Sequence, residues 1–141
     1  MLSGLDKFSV DKARQRASIP KWQVQNTAYH SCYSGSNFAS TLADPALWGR
    51  HVESAVGNLP IRATKVGKMK LFYWRDKSDE MDFVLLKNNK VIGIEVKSGK
   101  SIRTVRTKAF ATHVKPDKIY LVGKGGMPWE EFLLINPSDL F

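Results

Sequence analysis

Asp82, Glu95 and Lys97 fall within one stretch, "MDFVLLKNNKVIGIEVKSGK" (81–100), that otherwise reads as a buried β-hairpin. Charged side chains are rarely buried without a partner, so three of them here point either to a site or to a solvated charge cluster. A two-residue turn at Asn88-Asn89 is the natural choice, because asparagine tolerates the positive φ of tight hairpin turns. Counting outward from that turn sets Asp82 opposite Glu95. Side chains alternate between faces. One face is then Met81, Phe83, Leu85, Ile92, Ile94 and Val96, all apolar; the other carries Val84, Leu86, Val91 and Gly93, with Asp82, Glu95 and Lys97 at its open end.

Directly opposed residues have Cβ atoms about 4.5–5.5 Å apart, where like charges repel. Two carboxylates so placed need a cation between them or a raised pKa. Hard oxygen ligands of this kind suit Mg²⁺ or Mn²⁺. Lys97, two residues beyond Glu95 on the same face, is placed to position a water or to neutralise charge on a phosphate. The spacing is equally open to a plain reading, a cross-strand cluster in which Lys97 simply compensates the two acids.

These residues need elements to hold them. Residues 2–17 suggest a short basic helix, stopped by "SIP" at 18–20. "KWQVQN" alternates like a short strand, and residues 31–44 are loop-like. Asp44 as N-cap and Pro45 at the first helical position open a helix whose stripe is Trp48, Val52, Ala55, Val56 and Leu59. "MKLFYWR" (69–75) is a strand, the hairpin occupies 80–97, and a basic helix is expected over 101–113. A strand "KIYLVG" at 118–123 follows, and "PWEEFL" adds a final helical turn. The sum is an α/β fold with a mixed central sheet flanked by helices. A parallel crossover joins the hairpin to "KIYLVG". Residues 1–43 form a linker-like segment packed on a core domain of 44–141.

The 141 residues suit a single core, and no apolar run approaches a membrane span. No secretory signal opens the chain, so a cytoplasmic protein is expected. One cysteine, Cys32, excludes an internal disulfide and a cysteine-rich zinc site. His30, His51 and His113 have no zinc-like spacing, and the four tryptophans are assigned to the core. The net charge of +9 suits either a nucleic-acid partner or plain surface solubility.

An aspartate followed twelve residues later by Glu-Val-Lys, on a hairpin after a helix with its own acid, resembles the PD-(D/E)XK nuclease superfamily, the restriction-endonuclease-like fold. "GRHVESAV", "FYWRDKSDEMDFVLL", "IEVKSGK" and "MPWEEFLLINPSDLF" together resemble the C-terminal domain of unknown function of prokaryotic AAA+-type ATPases, a domain assigned to that fold. The resemblance covers about residues 2–141, and no Walker A motif accompanies it.

The resemblance implies a catalytic set of Glu53, Asp82, Glu95 and Lys97. Glu53 is the glutamate of the first core helix, and Met81 stands where the pattern has proline. Asp82, Glu95 and the Val96 carbonyl would hold Mg²⁺ or Mn²⁺ for phosphodiester hydrolysis, with Lys97 orienting the attacking water or stabilising charge. Gly49 and Gly57, a turn or so on either side of Glu53, would let the helix approach the sheet. Arg103, Arg106 and Lys108 are candidate phosphate contacts, or else a solvated helix face. The implied partners are nucleic acid, DNA ahead of RNA, and an AAA+-type ATPase, with no membrane. A non-catalytic nucleic-acid-binding or regulatory module of the same fold is the competing reading.

Overall fold

The computed structural model describes residues 2–11, 17–67, 69–98 and 105–141, and the chain opens with two strands, β1 (Leu2–Lys7) and β2 (Lys21–Val24). The helix expected over 2–17 is therefore not formed at its start. Leu2–Lys7 pairs antiparallel with β2 and parallel with a later strand, which buries Leu5 in the core. Tertiary pairing overrides the weak local preference of so short a segment. The loop expected over 31–44 is instead two short helices, α1 (Ala28–Ser34) and α2 (Phe38–Ala43). The Asn37 side chain caps α2 by accepting from the Ser40 amide.

Helix α3 (Pro45–Val66) starts where expected, with the Asp44 carboxylate accepting from the Ala46 and Leu47 amides. It runs past Leu59 and through Pro60, because Ile61 and Ala63 continue the buried stripe. Their burial outweighs the one hydrogen bond that Pro60 lacks. The strands β3 (Lys70–Asp76), β4 (Asp79–Lys87) and β5 (Lys90–Lys97) follow, then α4 (Val105–Val114), β6 (Lys118–Gly123), α5 (Trp129–Leu134) and a 3₁₀ turn at Pro137–Leu140.

The six strands form one mixed sheet in the order β2-β1-β3-β4-β5-β6, with β1/β3 and β5/β6 parallel. Helix α3 packs on one face, where Val52 and Val56 meet Phe83, Leu85, Ile92 and Ile94. On the other face Phe110 of α4 packs with Phe72, Trp74, Met81 and Val84. Of the tryptophans, Trp74 is buried and Trp48 and Trp129 lean on the core, whereas Trp22 on edge strand β2 is 65% exposed and is not a core residue.

The β4–β5 hairpin turns at Asn88 and Asn89, both at positive φ (49° and 64°), and pairs Lys87 with Lys90 through to Phe83 with Ile94. That register is the one its turn demands. Beyond Phe83 it departs from expectation. The β3/β4 register shifts between Phe72 and Trp74, so that Asp82 and Phe83 together oppose Tyr73. Such a bulge breaks the two-residue alternation. Met81 and Val84 consequently face α4, and the residues between them turn toward α3.

Two glycines let α3 lie close. A Cβ on Gly57 would stand 2.5 Å from the buried Phe83 ring, and one on Gly49 would stand 2.7 Å from the Ser98 hydroxyl. Gly57→Ala should destabilise by about 1–3 kcal/mol through overpacking. Gly49→Ala should have a smaller effect, because the Ser98 hydroxyl can rotate away. Urea denaturation of the two variants checks the order.

Candidate functional site

The centre of the site is a residue that local spacing does not reveal. Lys21 lies on β2 and its ammonium stands 2.9 Å from Glu53 Oε1, 2.9 Å from Glu80 Oε1 and 3.5 Å from Asp82 Oδ1. Its Nζ also sits 5.8 Å from the centre of the Phe83 ring. Three carboxylates from α3 and β4 thus converge on one cation at the end of the sheet.

Each acid is placed by a different device. The two turns of α3 between Gly49 and Gly57 carry Glu53 against the sheet. The β4 bulge turns Asp82 toward that helix. Glu80 is paired with Arg75 across the β3–β4 hairpin, and the Arg75 guanidinium donates to Glu80 Oε2 at 2.5 and 3.1 Å. This leaves Glu80 Oε1 for Lys21, so Glu80 bridges two cations.

Asp82 and Glu95 do not meet as a directly paired couple. The β4/β5 ladder ends at Phe83–Ile94, and the Val96 amide donates instead to Asp82 Oδ2 at 2.8 Å. The Asp82 carboxylate therefore lies against the Glu95–Val96 peptide, in the gap where the strands part. Glu95 is 2% exposed and alternates with Ile94 and Val96, which pack toward α3, so its side chain leaves on the α4 side. Lys97 closes β5 opposite Gly123 of β6, two residues along from Glu95. Among the described residues, no three acidic, histidine or cysteine side chains stand at metal-ligating spacing. The three carboxylates are arrayed around an ammonium.

The electrostatics follow from this crowding. Burial would lower the Lys21 pKa, but the charges of Asp82 and Glu53 and its bonds to Glu53 and Glu80 raise it well above the ordinary lysine value. Burial, then the Glu53 charge, push Asp82 up to about 6 against the opposing pull of Lys21 and the Val96 amide. Glu80 moves the other way. Burial would raise it, but Arg75 and Lys21 hold it below the usual carboxylate value.

Of the expected phosphate contacts, Arg103 lies outside the described residues. Arg106 lies within α4, though its side chain is outside them, and Lys108 is exposed on that helix. The residues that sequence reasoning missed are Lys21 and Glu80. Glu80 had a readable signal, since Arg75 and Glu80 flank a tight turn between two strands. Lys21 had none, being 61 residues from Asp82.

A family model for a domain of unknown function, DUF4143, matches residues 48–132. The chain belongs to that family. DUF4143 domains are commonly found in AAA-type ATPase proteins. No curated protein and no solved structure matches the chain. The DUF4143 match spans Glu53, Glu80, Asp82, Glu95 and Lys97, while Lys21 precedes it. Among the described residues, no helix is long and apolar enough to cross a membrane.

The raised pKa of Asp82 fixes a sign. A carboxyl whose folded pKa lies above its unfolded value of 3.8 contributes stability that is full below that pH and lost as pH rises through about 6. Asp82→Asn should therefore gain on the parent across about pH 4–6 and hold a constant difference above it. Urea unfolding of both proteins over that range checks this; a difference that does not change with pH would show that Asp82 is not raised.

Proposed function

We propose that this DUF4143 domain is a divalent-metal-dependent nuclease of the PD-(D/E)XK type, hydrolysing phosphodiester bonds of nucleic acid and working with an AAA+-type ATPase. The observation that supports this reading is the convergence of Glu53 and Asp82 on a single cation where β4 and β5 part, beside the strand end that carries Glu95 and Lys97. A helix acid, a strand acid and a Glu-x-Lys strand end are the parts such chemistry requires.

The donor set fits Mg²⁺ or Mn²⁺ in type, being carboxylate and backbone oxygen. Asp82 and the Val96 carbonyl would hold the ion, with Glu53 beside it; Glu95 leaves β5 on the opposite face and would join them only by swinging its carboxylate around the open strand end. When bound, such an ion polarises a phosphate oxygen and acidifies water. Lys97 orients the attacking water and offsets charge growing on the phosphate. Arg103, Arg106 and Lys108 contact flanking phosphates, DNA ahead of RNA. Lys21 competes with the ion, because its ammonium already stands between Glu53 and Asp82.

That same ammonium favours a second reading. A lysine that neutralises the acids permanently would leave a nucleic-acid-binding or regulatory module of the same fold. Melting temperature against Mn²⁺ separates the two. In the nuclease reading the parent is stabilised by Mn²⁺, and Lys21→Met binds it about tenfold more tightly while melting lower in chelator. Asp82→Asn and Glu95→Gln lose the Mn²⁺ shift, and Mn²⁺-dependent cleavage disappears in both and in Lys97→Ala. If neither the parent nor Lys21→Met responds to Mn²⁺ and neither cleaves, the module reading stands.

A further inference from the structure

A groove of about 700 Å³ lies between α1, α3 and the start of the sheet, and its walls differ in chemistry. Arg50 and His51 from α3 and His30 from α1 give it polar lining, while Tyr29, Tyr33 and Val24 supply aromatic and apolar surface. The two imidazoles stand 5.1 Å apart, centre to centre. Burial, and then the neighbouring His51 and Arg50, lower the His30 pKa, against the smaller opposing pull of Glu53. Tyr33 is 91% exposed and Tyr29 45% exposed, so both ring faces remain open to a partner.

The groove adjoins the carboxylate cluster through consecutive residues of α3. Glu53 reaches the Lys21 ammonium, and Ser54, buried next to it, hydrogen-bonds His30 Nε2 at 2.8 Å. Glu53 is close enough for its charge to act on His30. On the β2 side, Lys21 and Val24 mark the cluster and the groove on one short strand.

We propose that this groove binds single-stranded nucleic acid flanking the scissile phosphate, with Arg50 and His51 on phosphate and the Tyr29 and Tyr33 rings against unpaired bases. The assignment of the neighbouring cluster as the hydrolytic centre rests on the nuclease reading; the binding itself does not. Phosphate attracts the Arg50 guanidinium, and an open tyrosine face stacks on a base only when that base is unpaired. Paired bases in a duplex present no such face. A groove of this volume is of the size that holds a small organic ligand, which matches a short stretch of strand rather than a long one.

The test uses the full chain carrying Asp82→Asn, with no divalent metal, so binding is read apart from cleavage. A fluorescein-labelled deoxythymidine hexamer is titrated by anisotropy at several salt concentrations. Arg50→Gln and Tyr33→Ala, both at exposed positions, should each weaken binding about fivefold or more. Arg50→Gln should also flatten the salt dependence by about one counterion. Arg62→Gln, an equal charge loss on an exposed residue elsewhere on α3, should leave affinity unchanged. A duplex of the same length should bind more weakly than the single strand. Equal losses for Arg62→Gln and Arg50→Gln, an unchanged Tyr33→Ala, or tighter binding of the duplex would each overturn the assignment. Binding that follows the expected pattern in a protein that never cleaves would remove the nuclease reading and leave the groove standing.

Discussion

Three carboxylates around one ammonium is an arrangement that the rest of the structure has to work to maintain. Glu53, Glu80 and Asp82 would repel one another strongly in a partly buried corner without Lys21. Lys21 in turn reaches them only because β1 slots between β2 and β3 and carries β2 into the sheet as its edge. The ion pairs therefore tie the N-terminal strands to α3 and the central hairpin. Replacing one acid changes the balance felt by the other two, so the cluster behaves as a unit rather than as three independent bridges.

Backbone irregularity makes the cluster possible. In a regular β4, Asp82 would face α4 beside Val84, away from Glu53. The extra residue opposite Tyr73 turns it toward α3, and the interrupted β4/β5 ladder leaves the Val96 amide for its other oxygen. Bulges at sheet ends commonly re-aim a side chain in this way. Gly57 completes the arrangement by letting α3 settle on Phe83, the residue next to Asp82. Close helix packing and carboxylate placement are thus one constraint, since a helix held further out would withdraw Glu53 from Lys21.

Much of this was legible in the residues and some was not, for identifiable reasons. The Asn88-Asn89 turn, the inner register of the hairpin, the Asp44-Pro45 start of α3 and the parallel crossover to β6 are local signals, and the chain follows them. Glu53 was legible only through the family resemblance, since helical spacing alone leaves it a solvated glutamate bordering the apolar stripe. The bulge was not, because it exists only relative to β3, and it moved Met81 and Asp82 to faces that simple alternation does not assign. The strand at Leu2–Lys7 is fixed by pairing with β2 and β3 rather than by its own composition. Trp22, expected in the core, sits exposed because β2 is an edge. Lys21 was the largest omission, since no spacing within the chain links it to acids 32 to 61 residues away.

In the nuclease reading, the Lys21 ammonium holds the position that a divalent cation would use. Diffraction from crystals of the full chain grown with Mn²⁺, recorded on both sides of the manganese absorption edge, tests this most directly. The nuclease reading predicts an anomalous peak among Glu53, Asp82 and the Glu95–Val96 segment, with the Lys21 side chain displaced from the three carboxylates. Lys21 still bonded to Glu53 and Glu80, with no anomalous peak at the saturating Mn²⁺ of the crystal, would contradict it.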